Sequence, residues 1–315
     1  MILFLGLGIF LLWLAFKGTN VKELVSELKK ANFLYIGISM VLGYLAFVSR
    51  GIRWNYLLET MGYRAKVSNS VAAVSGGYLA NLGIPRIGEL ARCTFLNQKE
   101  NIPVDKLFGT IILERTIDMI MLLSCIGLAF ILKFTALSQF FLEVFEIRGD
   151  NGESQGSALP YILGGIALVG LLIFLLRKFI GRIPLVNKMK DFVLGLKEGF
   201  MSAFKMKKKL AFLGHTLFIW VSYFLMTYIC FFSIEGTSHL SPADGLYVLV
   251  VGGLGMVVPS QGGIGSYHLA VSLGLLALGV AENTGLLLAT LIHAGQTLMT
   301  LVAGGLSLAY IYLKK

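Results

Sequence analysis

The stretch Asn81-Leu-Gly-Ile-Pro-Arg-Ile-Gly-Glu-Leu-Ala-Arg92 sets Arg86, Glu89 and Arg92 three residues apart within an otherwise apolar region. On a helix that spacing stacks them on one face, where the carboxylate can pair with either guanidinium. Guanidinium forks suit phosphate oxygens, so the chemistry offered is recognition of an ionic group rather than bond making. Pro85 lets a helix begin but not pass through, and Gly83 and Gly88 allow the backbone to bend; the stretch reads as a broken helix, charged at the break. Pro259-Ser-Gln-Gly-Gly-Ile-Gly-Ser266 repeats the device without charge, Pro85-Arg86-Ile87-Gly88 lining up with Pro259-Ser260-Gln261-Gly262. A half-helix starting at either proline would present free backbone N–H groups and a positive dipole end, and Gly262, Gly263 and Gly265 would let a phosphate approach the backbone. Arg50 and Arg53 lie one turn apart near the end of a long apolar run, where they either snorkel to headgroups or line a cavity. Glu114 and Asp118, four apart beside Arg115, are counter-ions for these arginines. His268, with His293 and Gln296 three apart, could carry a proton-coupled step or simply make interhelical hydrogen bonds. Ser266 with His293 is the one conceivable nucleophile and base, against which stands the ordinary use of serine as a helix cap. His215 and His239 read as incidental, and Trp54, Tyr63, Trp220 and Tyr223 as interfacial anchors or packing residues.

The 315 residues are 56% hydrophobic and 14% charged, with mean hydropathy +0.79, and the apolar runs are too long for a soluble core. A polytopic all-α membrane protein follows. The net charge of +10 would suggest nucleic acid in a soluble chain, but ten Lys and Arg fall between Arg177 and Lys209, so the partner is an anionic cytoplasmic leaflet and not nucleic acid. Cys93, Cys125 and Cys230 are isolated, which argues against a disulfide framework or a zinc site, and no cofactor is expected. The N-terminus lacks a basic n-region and a cleavage site, so its apolar run is an uncleaved span.

Spans are expected at about 2–16, 33–58, 107–133, 159–176, 210–233 and 284–312, with proline-broken pairs at 68–96 and 245–280 that are either re-entrant or short helices. Residues 17–32 make an interfacial amphipathic helix, 138–157 an exposed acidic loop at the midpoint, and 184–207 a basic amphipathic helix. Lys314-Lys315 place the C-terminus in the cytoplasm. Counting crossings back from there puts the basic 177–209 segment inside and the acidic 138–157 and 234–244 segments outside, each in accord with its charge, and makes both termini cytoplasmic in a cell (inner) membrane. Lys17 to Asn32, with its small positive excess, would lie outside and dissents. Residues 1–137 and 158–315 thus form two repeats of opposite orientation, Glu114 falling near the counterpart of His293, the inverted plan of many secondary transporters.

On Arg50, Arg53-Trp54, Asn81, Pro85-Arg86, Gly88-Glu89, Arg92, Glu114-Arg115, Asp118, Pro259, Gly262-Gly263 and Gly265, nearly the whole chain resembles the flippase-like membrane family typified by the transmembrane half of lysylphosphatidylglycerol synthase/flippase proteins. The resemblance implies movement of a phospholipid or isoprenoid-linked lipid between leaflets. His268 stands where an acidic residue is often found, and 315 residues leave no room for the soluble synthase domain, so lipid lysylation is not expected. An enzyme is not expected either. The headgroup would slide along a polar groove lined by these residues while its chains stay in lipid. Two competing readings are a buried ion network that only fixes helix packing, and a secondary transporter of a small solute or ion on the same inverted plan. There is no Gly-Lys-Ser/Thr nucleotide loop to drive transport.

Overall fold

The computed structural model describes residues 2–17, 19, 21–144 and 206–313. Its helices are α1 (Ile2–Phe16), α2 (Val21–Lys30), α3 (Phe33–Thr60), α4 (Val67–Gly83), α5 (Gly88–Glu100), α6 (Val104–Leu132), α7 (Phe134–Val144), α8 (Lys209–Cys230), α9 (Pro242–Val257), α10 (Ser266–Leu276) and α11 (Glu282–Leu313), with 3-10 turns at Phe231–Ser233, Glu235–Thr237 and Gln261–Gly263. Among the described residues, α3, α6, α8 with its 3-10 extension, and α11 are long and apolar enough to cross a membrane. The outer faces of α6, α8 and α11 carry exposed apolar side chains, among them Leu123, Ile131, Leu213, Leu217, Leu301 and Leu306, as a hydrocarbon solvent requires. The protein is a multi-pass membrane protein. α1 matches the first expected span but its 15 residues reach only ~22 Å at 1.5 Å per residue. The expected span 159–176, the basic helix 184–207 apart from its last two residues, and all of the acidic loop beyond Val144 fall outside the described residues. The start of that loop is corrected: the chain is helical from Phe134 to Val144, and Leu137, Phe140 and Leu142 are buried, because the apolar side chains of this segment recur at helical spacing and pack. The amphipathic helix expected within 17–32 is α2, and Leu24 and Leu28 pack on the core.

Local chemistry sets the helix ends. Asn32 caps α3, its Oδ1 accepting from the Leu34 amide at 3.1 Å. α9 opens on a reciprocal cap, Ser241 Oγ accepting from Asp244 N and Asp244 Oδ2 accepting from Ser241 N at 2.9 Å, with Pro242 in the first turn. α4 stops at Gly83 because Ile84 precedes proline and is extended, φ −133° and ψ 120°; Val258 before Pro259 is likewise extended. The helices do not resume at the prolines as expected. They resume at Gly88 and Ser266, after a four-residue turn in the first case and a 3-10 turn in the second.

α4 with α5 and α9 with α10 therefore form two helix–break–helix hairpins. Each is closed by glycine: a Cβ on Gly77 would sit 2.8 Å from the Gly88 carbonyl, and one on Gly255 would sit 2.9 Å from the Ser266 carbonyl. The two breaks touch, since Gln261 Nε2 donates to the Gly83 carbonyl and Gly262 lies against Leu82. α3 and α8 run antiparallel, joined by Ser39 Oγ donating to the Met226 carbonyl at one end and Lys208 bridging to Glu59 at the other. One core, holding Trp54, Leu57, Val74, Leu96 and Phe212, lies among α3 to α6 and α8; a second, holding Tyr247, Val251, Val271, Leu275 and Leu288, lies among α7 and α9 to α11. α11 contributes to both, Gly304 packing on Leu79 of α4 and Gly285 on Leu275 of α10.

Candidate functional site

Arg50 and Arg53 are one turn apart on α3, Glu114 and Asp118 one turn apart on α6, and Arg92 lies in the second turn of α5. Packing turns all five inward. Arg50 Nη1 donates to Glu114 Oε1 and, at 2.8 Å, to Asp118 Oδ2; Arg53 reaches Asp118 Oδ1 at 2.9 Å and Glu114 Oε1 at 3.2 Å; Arg92 Nη2 donates to Glu114 Oε2 at 2.6 Å. Arg53 and Glu114 are fully buried and Asp118 is the most open of the five at 8%. Arg50 and Arg53 therefore do not snorkel; they are interior ions with matched partners. Taking each such ion out of water costs several kcal/mol, repaid only when geometry is good and other hydrogen bonds complete the set. Those completions come from residues with no distinguishing spacing in the sequence. Tyr223 of α8 accepts from Arg50 Nε at 3.0 Å, Thr216 accepts from Arg53 at 3.3 Å, and Trp54 lies under the Arg92 guanidinium, 4.5 Å from ring centroid to Cζ. Trp54 is not an interfacial anchor: it is fully buried, its Nε1 donating to Thr110 Oγ1 at 2.7 Å.

Among the described residues three guanidiniums meet two carboxylates, so the cluster carries one positive charge in excess. Its donor capacity is not used up either. Arg53 Nε and Arg92 Nε are buried and donate no hydrogen bond among the described residues, and Arg53 Nη2 meets Glu114 Oε1 as an ion pair at 3.2 Å without a hydrogen bond's geometry. An excess positive charge with idle donors in a low-dielectric interior is an arrangement that an anion would complete.

The remaining residues of the first break part company. Arg86, Glu89 and Arg92 do not share a helical face, because Arg86 lies in the turn ahead of α5, left-handed at φ 65° and exposed. Glu89 pairs instead with Arg115 at 2.7 Å, both partly exposed, beside the main cluster. Asn81 Oδ1 accepts from the Gly88 amide at 2.7 Å, so the first free N–H of α5 is satisfied within the hairpin. Pro85 only shapes the turn. At the second break Gln261 bonds across to Gly83, His293 Nε2 pairs with the Gly262 carbonyl at 2.9 Å, and the rings of His268 and His293 lie 4.8 Å apart. His268 Nδ1 has no hydrogen-bond partner among the described residues. Gln296 lies one turn beyond His293 and is half-buried. Gly263 at φ 80° and Gly265 at φ 80° are not open to a phosphate as expected: a Cβ on Gly263 would strike Met256 Sδ, and one on Gly265 would strike the backbone of α1 at Gly8. These glycines permit close helix contact. Ser266 Oγ bonds Ser260 Oγ at 2.6 Å and the Gly263 carbonyl at 3.3 Å, so serine and His293 do not form a nucleophile–base pair. Among the described residues no group of three or more His, Cys, Asp and Glu could hold a metal ion.

Comparison with known proteins agrees with the membrane assignment. The chain is 25% identical over 310 residues to "Glycosyltransferase AglD" of Haloferax volcanii, covering 90% of this chain and 50% of that protein. It is 24% identical over 302 residues to "UPF0104 membrane protein PH1989" of Pyrococcus horikoshii, covering 88% and 85%, and 28% identical over 102 residues to "UPF0104 membrane protein MJ1595" of Methanocaldococcus jannaschii, covering 31% and 30%. The chain thus spans about half the length of the first of these relatives and less than a third of the last. No solved structure matches. The family model described as "Lysylphosphatidylglycerol synthase TM region" matches residues 1–304, and the chain belongs to that family of multi-spanning, lipid-associated membrane proteins.

Proposed function

We propose that this protein moves a phosphate-bearing membrane lipid, a phospholipid or an isoprenoid-linked lipid, between leaflets, the headgroup passing the two breaks while the chains remain in the bilayer. The observation that carries this reading is the buried cluster of Arg50, Arg53 and Arg92 against Glu114 and Asp118, with its excess charge and idle donors beside a pair of half-helix hairpins. A lipid phosphate needs neutralisation part-way through an apolar slab, and an intramembrane ionic cluster is costly to maintain for packing alone. Family membership supports the substrate class, since lysylphosphatidylglycerol is a lipid with a phosphate headgroup. Because the cluster is closed, the helices around it must part for a headgroup to enter; the glycine-closed hairpins and the Gln261–Gly83 contact between breaks are the joints at which this happens. In this reading the two hairpins belong to an inverted repeat of six spans, with both termini cytoplasmic and residues 177–209 on the anionic leaflet.

The test is reconstitution into proteoliposomes with a fluorescent phosphatidylglycerol, scored by its accessibility to an outside quencher, alongside uptake of inorganic phosphate. Lipid movement that falls on Arg92→Gln supports the reading. Uptake of water-soluble phosphate without lipid movement would instead identify a solute transporter on the same scaffold.

A further inference from the structure

α3 and α8 lie antiparallel, and on their outer side Ala211 and Gly214 are too small to fill the space between them. A groove of about 470 Å³ results, walled by Ile52 and Phe218 and floored by Ser49 and His215. Its floor is polar although its walls are not. Ser49, 3% exposed, bonds His215 Nδ1 through its Oγ at 2.8 Å. Towards the membrane surface the polar contacts continue as a ladder: the His215 ring lies 5.8 Å from Tyr56, the Lys208 ammonium lies 5.5 Å over Tyr56, and Lys208 pairs with Glu59. Towards the interior the arginines lie close along the same helices. Ser49 and Arg53 are one turn apart on α3, His215 precedes the Thr216 that accepts from Arg53, and Arg53 Nε is buried and donates no hydrogen bond among the described residues. From Lys208 to His215 is seven residues and from Glu59 to Arg53 six, so groove and arginine lie roughly 10 Å below the charged surface layer.

We infer that the α3–α8 groove is the lateral portal through which a lipid phosphate leaves the leaflet and reaches the arginine cluster, with the Ser49–His215 pair as its first polar contact inside the bilayer. The inference deepens the lipid-transport reading and rests on it. The occupant is a phospholipid headgroup with its chains outside, for three reasons. Among the described residues the groove opens sideways on the apolar faces of two spans, its charge complement is the excess positive charge of the cluster that Arg53 joins one turn from Ser49, and the Lys208–Glu59 pair marks the charged surface layer above it, where headgroups lie.

Gly214 supplies a clean test, because a Cβ there meets nothing within 4 Å and the fold can accept a larger side chain. Gly214→Trp would fill the groove from outside. Gly127→Trp, at an equally open glycine on α6, adds the same ring to the bilayer-facing surface elsewhere. Both variants and the wild type are reconstituted with fluorescent phosphatidylglycerol, their melting temperatures are measured, and co-purified phosphatidylglycerol is counted by native mass spectrometry. The expected result is loss of most lipid movement and of retained lipid in Gly214→Trp, with Gly127→Trp like the wild type and both melting temperatures unchanged. Gly214→Trp moving and retaining lipid like the wild type overturns the portal and leaves the transport reading standing. A wild type that moves no lipid overturns that reading, and the portal with it.

Discussion

Among the described residues, the helix hairpins at Pro85 and Pro259 are furnished in opposite ways. Beside the first, α5 delivers Arg92 to an ionic cluster that ties together α3, α5 and α6 and is completed by α8. The second break, residues 259–266, carries no ionised side chain of its own; it uses His293 on the Gly262 carbonyl, the neighbouring His268 ring and the Ser260–Ser266 hydroxyl pair. Both solve the problem of backbone that leaves helical geometry among apolar side chains, where unpaired groups find no water. The first does so with a side chain within its own hairpin, Asn81 to Gly88, and the second by bonding outward to α11. The lesson is a division of labour: the first hairpin anchors charge, the second is held by neutral contacts that are cheaper to remake, and Gln261 joins them.

That contrast can be broken most sharply at Glu114, which touches all three arginines. Glu114→Gln leaves three buried guanidiniums with one carboxylate and should cost about 3–5 kcal/mol, read from chemical unfolding in bicelles. If it costs no more than a change at His293, the two halves are not differently held. Next, Glu114→Gln combined with Arg92→Gln should be less damaging than the sum of the single changes by about 1–3 kcal/mol, the coupling expected of direct partners, while lipid movement stays lost. His293→Leu strands the Gly262 carbonyl and should cost about 1–2 kcal/mol in the same assay, with His293→Gln recovering part of it. Gln261→Ala should cost only about 1 kcal/mol yet slow lipid movement, because it uncouples the breaks. Smallest of all, Arg86→Gly should raise stability by up to about 1 kcal/mol by relieving a left-handed non-glycine residue. Unchanged lipid movement in that variant would remove Arg86 from the site altogether.

Much of this was legible in the sequence. Long apolar runs mark α3, α6, α8 and α11, and a proline after an extended residue marks both interruptions. Charges inside such runs need partners, so Glu114 and Asp118 stand out in the sequence as counter-ions for the arginines; but spacing groups Arg92 with Arg86 and Glu89, and leaves Arg50 and Arg53 between snorkelling and lining a cavity. Two expectations failed for separate reasons. Placing Arg86 on a helical face assumed that the helix restarts at Pro85, whereas the turn runs on to Gly88 and swings that side chain outward. Reading Gly263 and Gly265 as a phosphate cradle assumed open space, but Met256 and α1 occupy it.

Composition and periodicity alone determined that the chain crosses a membrane, where it is interrupted, and which ionised residues need partners, because bilayer energetics penalise any other use of such residues. Only the tertiary structure decided who the partners are. Tyr223, Thr216 and Trp54 enter the cluster through the packing of α3 on α8, α5 and α6, and His215 gains its place from a groove that two small residues leave unfilled. No local pattern encodes these pairings, since each depends on how distant helices are rotated against one another, and that rotation is fixed by the summed packing of both cores.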